Sequence, residues 1–497
     1  MFDSLGLAVT YLNDPSTLLY LSLGVGIGLL FGLIPGLGGA TAIALLLPLT
    51  FGMQPEQAIT LMGGILGSSA IGGSVTAILL NAPGTAPNAA TCFDGYPLTR
   101  QGRAGLAIGA AATASSIGGI IGLVILTAVL PIAKSIVLAF GPPAFFMLAV
   151  LGLTSLTVAS GNLVRGLIAA CVGLFVGFVG FDDMGGRQRY TWGSDFLWDG
   201  IGLVPTLIGL FAIAEMLKLL VEGGSISKVK KESLVKVEGT LDGVKAVFRN
   251  MKTVVSGSAI GSIVGMVPGV GGTVASFLSY TFASQINTKD NQFGKGDIRG
   301  VIAPESANNA KDGGSLIPTL AFGIPGSAEM ALFLGVLVLH GMNPGPLLLI
   351  EREWSIFVLI LAVLGATILS SLVVLMAARY LVTITFINSA IIIPSVLCIS
   401  LVGAYALNTQ MGDVIIAAVF GVVGYLMIRL DFPRITLVIA LVLGGMMERQ
   451  FLQSMLMFRN DWTGFFQNTT SLILFILVVL ALSTPIIKRL VKVIKNA

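Results

Sequence analysis

The sequence predicts an all-α, polytopic helical membrane protein made of two repeats, each containing a broken or re-entrant helix. Three observations predict it. Of 497 residues, 55% are hydrophobic and only 10% charged, against about 25% charged in a soluble domain. The mean hydropathy is +0.95, and apolar runs of about 20 residues, long enough to cross a bilayer, recur along the chain. Finally, Gly32-Leu33-Ile34-Pro35-Gly36-Leu37-Gly38-Gly39 returns as Gly265-Met266-Val267-Pro268-Gly269-Val270-Gly271-Gly272. Proline lacks an N–H and glycine is costly in a helix, so each copy should break an apolar helix. Backbone freed inside a bilayer is tolerated only where protein buries it or a cavity takes it, so paired breaks point to a binding site.

Residues 1–16 carry Asp3 and Asp14 but no Lys or Arg. Without a basic leader, the first apolar run (18–33) reads as a retained span and not as a cleaved signal peptide. A second helical piece, 40–51, follows the Pro35 break, and Pro55 opens a helix reaching about residue 80. The run Asn81-Ala82-Pro83-Gly84-Thr85-Ala86-Pro87-Asn88 interrupts the membrane region again, and Asp94 and Arg100 read as interfacial loop charges. Further spans fall at 104–130, 134–158, 161–181 and 200–221.

The only long charged segment, Lys228 to Lys252, is basic, and short basic loops stay in the cytoplasm. The C-terminus, with Lys488, Arg489, Lys492 and Lys495, belongs there too, and the bare N-terminus outside. The chain thus divides into a first transmembrane repeat (1–227), a basic cytoplasmic linker (228–252) and a second transmembrane repeat (253–497). Repeats that start on opposite sides are inverted. The second half replays the first: the Pro268 break, a piece to 282, polar stretches at 289–297 and 303–315, and Gly323-Ile324-Pro325-Gly326-Ser327-Ala328-Glu329. Spans follow at 354–378, 385–406, 410–428, 432–447 and 468–487. Trp192, Trp198, Trp354 and Trp462 fall at span ends, as an aromatic belt requires.

Pro83-Gly84-Thr85 and Pro325-Gly326-Ser327 each place a hydroxyl where a helix begins. A helix N-terminus offers N–H donors and partial positive charge, so it can hold a carboxylate without a basic side chain. The candidate substrate-binding residues are Gly36, Gly38, Gly39, Asn81, Pro83, Gly84 and Thr85 in the first half. In the second they are Gly269, Gly271, Gly272, Asn308, Asn309, Pro325, Gly326 and Ser327. Ser74, Thr76 and Ser315 offer the hard oxygens a sodium ion takes. The competing reading is that these groups only satisfy backbone freed by the breaks. Glu305, Lys311 and Asp312 lie between apolar stretches, where a charge costs about 2.5–3.5 kcal/mol. They either face a cavity and pair, or sit on a re-entrant turn that reaches water. Glu215 can pair with Lys218, and His340 fits a turn better than a proton relay.

Other chemistries lack their residues. Cys92, Cys171 and Cys398 have no CxxC spacing, and no GxSxG, HExxH or P-loop occurs. Asp182-Asp183 has no second acidic motif beside it. A net charge of +4 says nothing of nucleic acid. No enzyme and no cofactor is expected, and with no nucleotide site an ion gradient would have to drive transport.

Five motifs together carry a family resemblance over nearly the whole chain. Residues 32–39, Asn-Ala-Pro-Gly-Thr at 81–85, Asp-Gly-Tyr-Pro-Leu at 94–98, Pro-Glu-Ser-Ala-Asn-Asn-Ala at 304–310 and Gly-Ile-Pro-Gly-Ser at 323–327 resemble the large permease subunit of tripartite tricarboxylate transporters, the TctA type. The resemblance implies a bacterial inner-membrane permease that works with a small four-span membrane subunit and a periplasmic solute-binding protein. It implies uptake of tricarboxylates or other organic carboxylates, coupled to sodium or protons. The residues alone leave an ion channel with a glycine-carbonyl filter as the alternative, and an intramembrane enzyme as the least supported reading.

Overall fold

The computed structural model describes residues 2–182, 186–222, 237–286, 292–381 and 389–496. Nearly all of them are helical. The first half comprises α1 (Phe2–Leu12), α2 (Pro15–Leu33), α3 (Gly38–Leu46), α4 (Pro55–Leu80), α5 (Ala89–Arg100), α6 (Ala104–Ala139), α7 (Pro142–Ala159) and α8 (Leu163–Gly177). A two-residue hairpin, β1 (Gly180–Phe181) with β2 (Gln188–Arg189), precedes α9 (Leu203–Leu207), which runs through a π-helical turn into α10 (Ala214–Glu222). The second half comprises α11 (Thr240–Arg249), α12 (Met251–Gly265), α13 (Gly271–Ile286), α14 (Arg299–Phe322), α15 (Ala328–Leu339), α16 (Pro346–Glu351) and α17 (Glu353–Leu381). It continues with α18 (Ser389–Asn408), α19 (Met411–Arg429), α20 (Arg434–Met457), α21 (Gly464–Gln467) and α22 (Thr469–Asn496). Among the described residues, nine helices are long and apolar enough to cross a membrane.

Both predicted breaks are present, between α2 and α3 and between α12 and α13. The helices around them correspond in order. Each break is followed by a long buried helix, α4 or α14, that ends on a left-handed residue, Asn81 (φ 52°) or Gly323 (φ 69°). At each end the next N–H returns to a carbonyl six residues back: Ala82 to Thr76 at 3.4 Å, Ile324 to Pro318 at 3.2 Å. This closure satisfies carbonyls a helix C-terminus otherwise leaves open.

Small residues every fourth position let each broken helix lie directly on its long partner. A methyl at Gly32 would sit 2.1 Å from the Ser69 carbonyl oxygen, and one at Gly265 2.4 Å from that of Lys311. The long helices then cross over. Gly63 and Gly67 of α4 pack on Ala362 and Ala366 of α17, while Gly118 and Gly122 of α6 pack on Ser306 and Ala310 of α14. Each half thus completes the packing of the other.

Three expectations change. The spans read as 104–130 and 134–158 are drawn differently, because α6 continues through Pro131 to Ala139 and stops only before Pro142-Pro143. One proline removes a single helix hydrogen bond, which 36 residues of helix absorb. The stretch 303–315 is no re-entrant turn but the middle of the continuous helix α14. Asp94 is no interfacial loop charge: it is fully buried, accepting from the Tyr280 hydroxyl (2.9 Å) and from the Gly296 and Asp297 N–H groups (both 2.8 Å). In the linker, α11 occupies 240–249, whereas Lys228, Lys230 and Lys231 lie outside the described residues, as does Asp183.

Candidate functional site

Each break is anchored to the loop that follows its long helix. Gly36 donates its N–H to the Gly84 carbonyl at 3.4 Å, and Gly269 donates to Gly326 at 3.2 Å. Gly36 (φ 89°) and Gly269 (φ 79°) hold left-handed conformations that side chains resist, which is why the breaks need glycine there. Gly84 has a second reason to be glycine: a methyl on it would lie 1.9 Å from the Gly32 carbonyl oxygen. The loops therefore act first as clamps.

The helices beyond the breaks start beside one small buried cavity. A methyl at Gly39, opening α3, would lie 2.6 Å from Ser69 Oγ and 3.6 Å from Glu329 Oε1. One at Gly272, opening α13, would lie 2.9 Å from Lys311 Cε and 3.2 Å from Asn308 Oδ1. Ser69, Thr85, Asn308, Lys311, Asp312 and Glu329 supply the polar lining, and the free volume, about 10 Å³, admits a single water-sized particle. No side chain caps the start of α3, so its N–H groups remain available to a ligand.

Charge is concentrated on one wall. Lys311 Nζ bonds Asp312 Oδ1 at 2.6 Å and Glu329 Oε2 at 3.2 Å. The Lys311 and Asp312 side chains are almost wholly buried, while Glu329 is 23% exposed. Ser327, capping α15 through the Met330 N–H, also donates to Glu329 Oε2 at 3.2 Å. Asn308 is 1% exposed, yet neither its Nδ2 nor its Oδ1 has a hydrogen-bond partner. An unsatisfied buried amide costs about 1–3 kcal/mol, so an orphan of this kind calls for an explanation.

A second buried carboxyl lies on the same helix. Glu305 accepts from Asn88 Nδ2 (3.1 Å), Thr91 Oγ1 (2.5 Å) and Ser115 Oγ (2.9 Å), three first-half side chains meeting one second-half acid. Among the described residues, no cation is bonded to it. These bonds tie α5 and α6 to α14.

Of the residues expected in the site, Gly38, Gly39, Thr85, Gly272 and Asn308 surround the cavity, and Ser327 reaches it through Glu329. Gly84 and Gly326 are clamps, while Gly36 and Gly271 have open space where a side chain would point. Asn81 is an exposed helix end, flanked by Pro83, and Pro325 lies in the matching loop. Asn309 faces Gly119 of α6. The structure does not bring Ser74, Thr76 and Ser315 to the cavity. Their hydroxyls bond back to Ile71, Gly73 and Lys311 carbonyls of their own helices. Outside the site, His340 bridges the Val336 and Thr50 carbonyls at 2.9 and 3.0 Å, a joint between segments and not a relay. Glu215 pairs with Arg434 at 2.7 Å as well as with Lys218 at 4.0 Å.

Ser69 and Glu329 went unread in the sequence, as did Asn88, Thr91 and Ser115. Glu329 follows Ser327 by two residues at the start of α15, where an acid is usual for capping reasons alone. Only its bond to Lys311, from another helix, distinguishes it.

Helices broken in pairs around a buried, charged cavity define a multi-pass membrane protein of the transporter class. The comparisons give the family. The chain belongs to the tripartite tricarboxylate transporter TctA family, whose profile matches residues 18–439. It is 34% identical over 479 residues to an uncharacterised 52.8 kDa protein of the TAR-I region of Agrobacterium vitis, covering 94% of this chain and 93% of the relative. An uncharacterised TAR-II protein of the same organism is 32% identical over 217 residues, 42% of this chain and 86% of that one. No solved structure matches.

Proposed function

We propose that the chain is the large permease subunit of a binding-protein-dependent secondary transporter that takes up tricarboxylates or other organic carboxylates into a bacterial cell. It would lie in the inner membrane beside a small four-span membrane subunit. A periplasmic solute-binding protein would deliver the substrate, and a sodium or proton gradient would drive uptake. Residues 1–227 and 253–497 would act as inverted repeats joined by a cytoplasmic linker at 228–252.

One observation supports this reading above the others: two helix starts, from opposite halves, adjoin the same small cavity, α13 at Lys311 and α3 at Ser69 and Glu329. A carboxylate entering here loses its water. It would recover that solvation from the N–H groups of α3 and α13, each helix start worth about half a positive charge, from Lys311 and from the unpartnered Asn308 amide. The cavity is smaller than any di- or tricarboxylate, so it must widen to admit one. A channel filter would present rings of carbonyls; a lysine held by two acids suits a carrier better.

The reading is tested by uptake into proteoliposomes holding both membrane subunits, with carboxylate-loaded binding protein outside. Accumulation under an inward sodium or proton gradient is expected. Transport that ignores sodium, pH and membrane potential together would refute it.

A further inference from the structure

The cavity wall holds one ammonium against two carboxylates, Lys311 against Asp312 and Glu329, almost out of reach of water. If an organic carboxylate binds Lys311, as the proposed function requires, three buried anions share one ammonium unless one of these acids is released. The acid left behind is then a buried anion without a partner, which is strongly unfavourable. Glu329 is the one positioned to leave. Its bond to Lys311 is longer than that of Asp312, 3.2 against 2.6 Å, it is more exposed, and it sits on the separate helix α15.

We propose that Lys311 exchanges partners, and that a monovalent cation bound by the abandoned Glu329 is the coupling ion. With no carboxylate at Lys311, that lysine satisfies Asp312 and Glu329. In the loaded state it keeps Asp312 and turns to the substrate carboxylate, and the cation takes its place at Glu329. One cation and one carboxylate group enter together, so the net charge of the cavity stays the same. That equality makes the two loading events cooperative, and by linkage each tightens the other equally.

Asn308 is the independent sign of a ligand pair. Its orphan Nδ2 needs an acceptor and its orphan Oδ1 needs a cation or a donor, and the residue lines the cavity next to both charges. The roughly 10 Å³ of free space fits one desolvated ion or water. Among the described residues, no other ionisable group lines this cavity. Helix α3 has none, α4 has only Glu56 at its start, and on α13 Tyr280 bonds Asp94. On α14 Glu305 is bonded to Asn88, Thr91 and Ser115, and on α20 Arg434 and Glu448 pair with Glu215 and Arg189.

Sodium and a proton share this chemistry, and the test separates them. Both membrane subunits are reconstituted, and carboxylate uptake from loaded binding protein is measured under a sodium gradient, a proton gradient, or neither. The readout is the ratio of gradient-driven uptake to carboxylate exchange at equal concentrations. Wild type is expected to respond to one gradient, which names the ion. Glu329→Gln, with no charge left to neutralise, should lower that ratio about tenfold, equivalent to 1.4 kcal/mol of lost coupling. An unchanged response in Glu329→Gln overturns the proposal. Lys311→Ala alone can misfold, so the triple variant Lys311→Ala, Asp312→Asn and Glu329→Gln, which leaves no unpaired charge, serves as the second variant. It is expected to assemble and to lose carboxylate uptake, and retained uptake would equally overturn the exchange. Failure of wild type to carry any carboxylate under either gradient would instead remove the functional reading beneath it.

Discussion

The two broken-helix units share a backbone and differ in what hangs on it. Gly32 lies on the Ser69 carbonyl as Gly265 lies on that of Lys311; Gly36 bonds Gly84 as Gly269 bonds Gly326; Asn81 ends α4 as Gly323 ends α14. Yet the positions matching Lys311, Asp312 and Glu329 are Ser69, Ala70 and Pro87. Shape is given twice and charge once. A buried charge is tolerable only with partners, so one set of acids and one lysine, met by a neutral opposite wall, needs the fewest. The neutral unit still contributes its helix start, Gly39, and the Ser69 and Thr85 hydroxyls.

Exchanging matched residues tests this division of labour. Lys311→Ala strips the cation from two buried carboxylates, and breaking a buried pair costs about 3–5 kcal/mol. Its counterpart Ser69→Ala should cost about 1 kcal/mol or less. Thermal unfolding of the purified protein in detergent compares them, and equal costs would mean that the two walls are not different in kind. The clamps should differ in the opposite sense. A methyl at Gly84 meets a backbone oxygen at 1.9 Å, whereas one at Gly326 meets Ser315 Cβ at 2.7 Å. Overpacking costs about 1–3 kcal/mol, with Gly84→Ala at the upper end and Gly326→Ala at the lower in the same assay. The caps give the smallest contrast. Ser327 holds the Met330 N–H while Thr85 bonds only the Asn88 side chain. Ser327→Ala should therefore lose about 1 kcal/mol and Thr85→Ala less, as read by chemical denaturation.

What was readable in the sequence was local. Pro35 and Pro268 with their glycines announce broken helices because proline and glycine act on their own backbone. Asn81 and Gly323 mark helix ends for the same reason. Partnerships between distant segments were not readable. Asp94 looks like a loop charge until Gly296 and Asp297, from the other half, fold over it. Ser74, Thr76 and Ser315 look like ion ligands, but their hydroxyls find a carbonyl one turn back. Pro131 looks like a boundary, yet the packing of α6 against α14 and α17 outweighs one missing bond. The charges on α14 were open to two readings, because their sign and number follow from sequence while their burial follows only from packing.

The central claim is that a carboxylate enters the cavity where α3, α13 and Lys311 meet. It is tested most directly by the labelling rate of Thr85→Cys, on the cavity wall, in a background with Cys92, Cys171 and Cys398 replaced by serine. With both membrane subunits and loaded binding protein present, the account predicts that a transported carboxylate slows modification by a small thiol reagent by about tenfold. A rate unchanged at saturating carboxylate would place the substrate elsewhere and contradict the account.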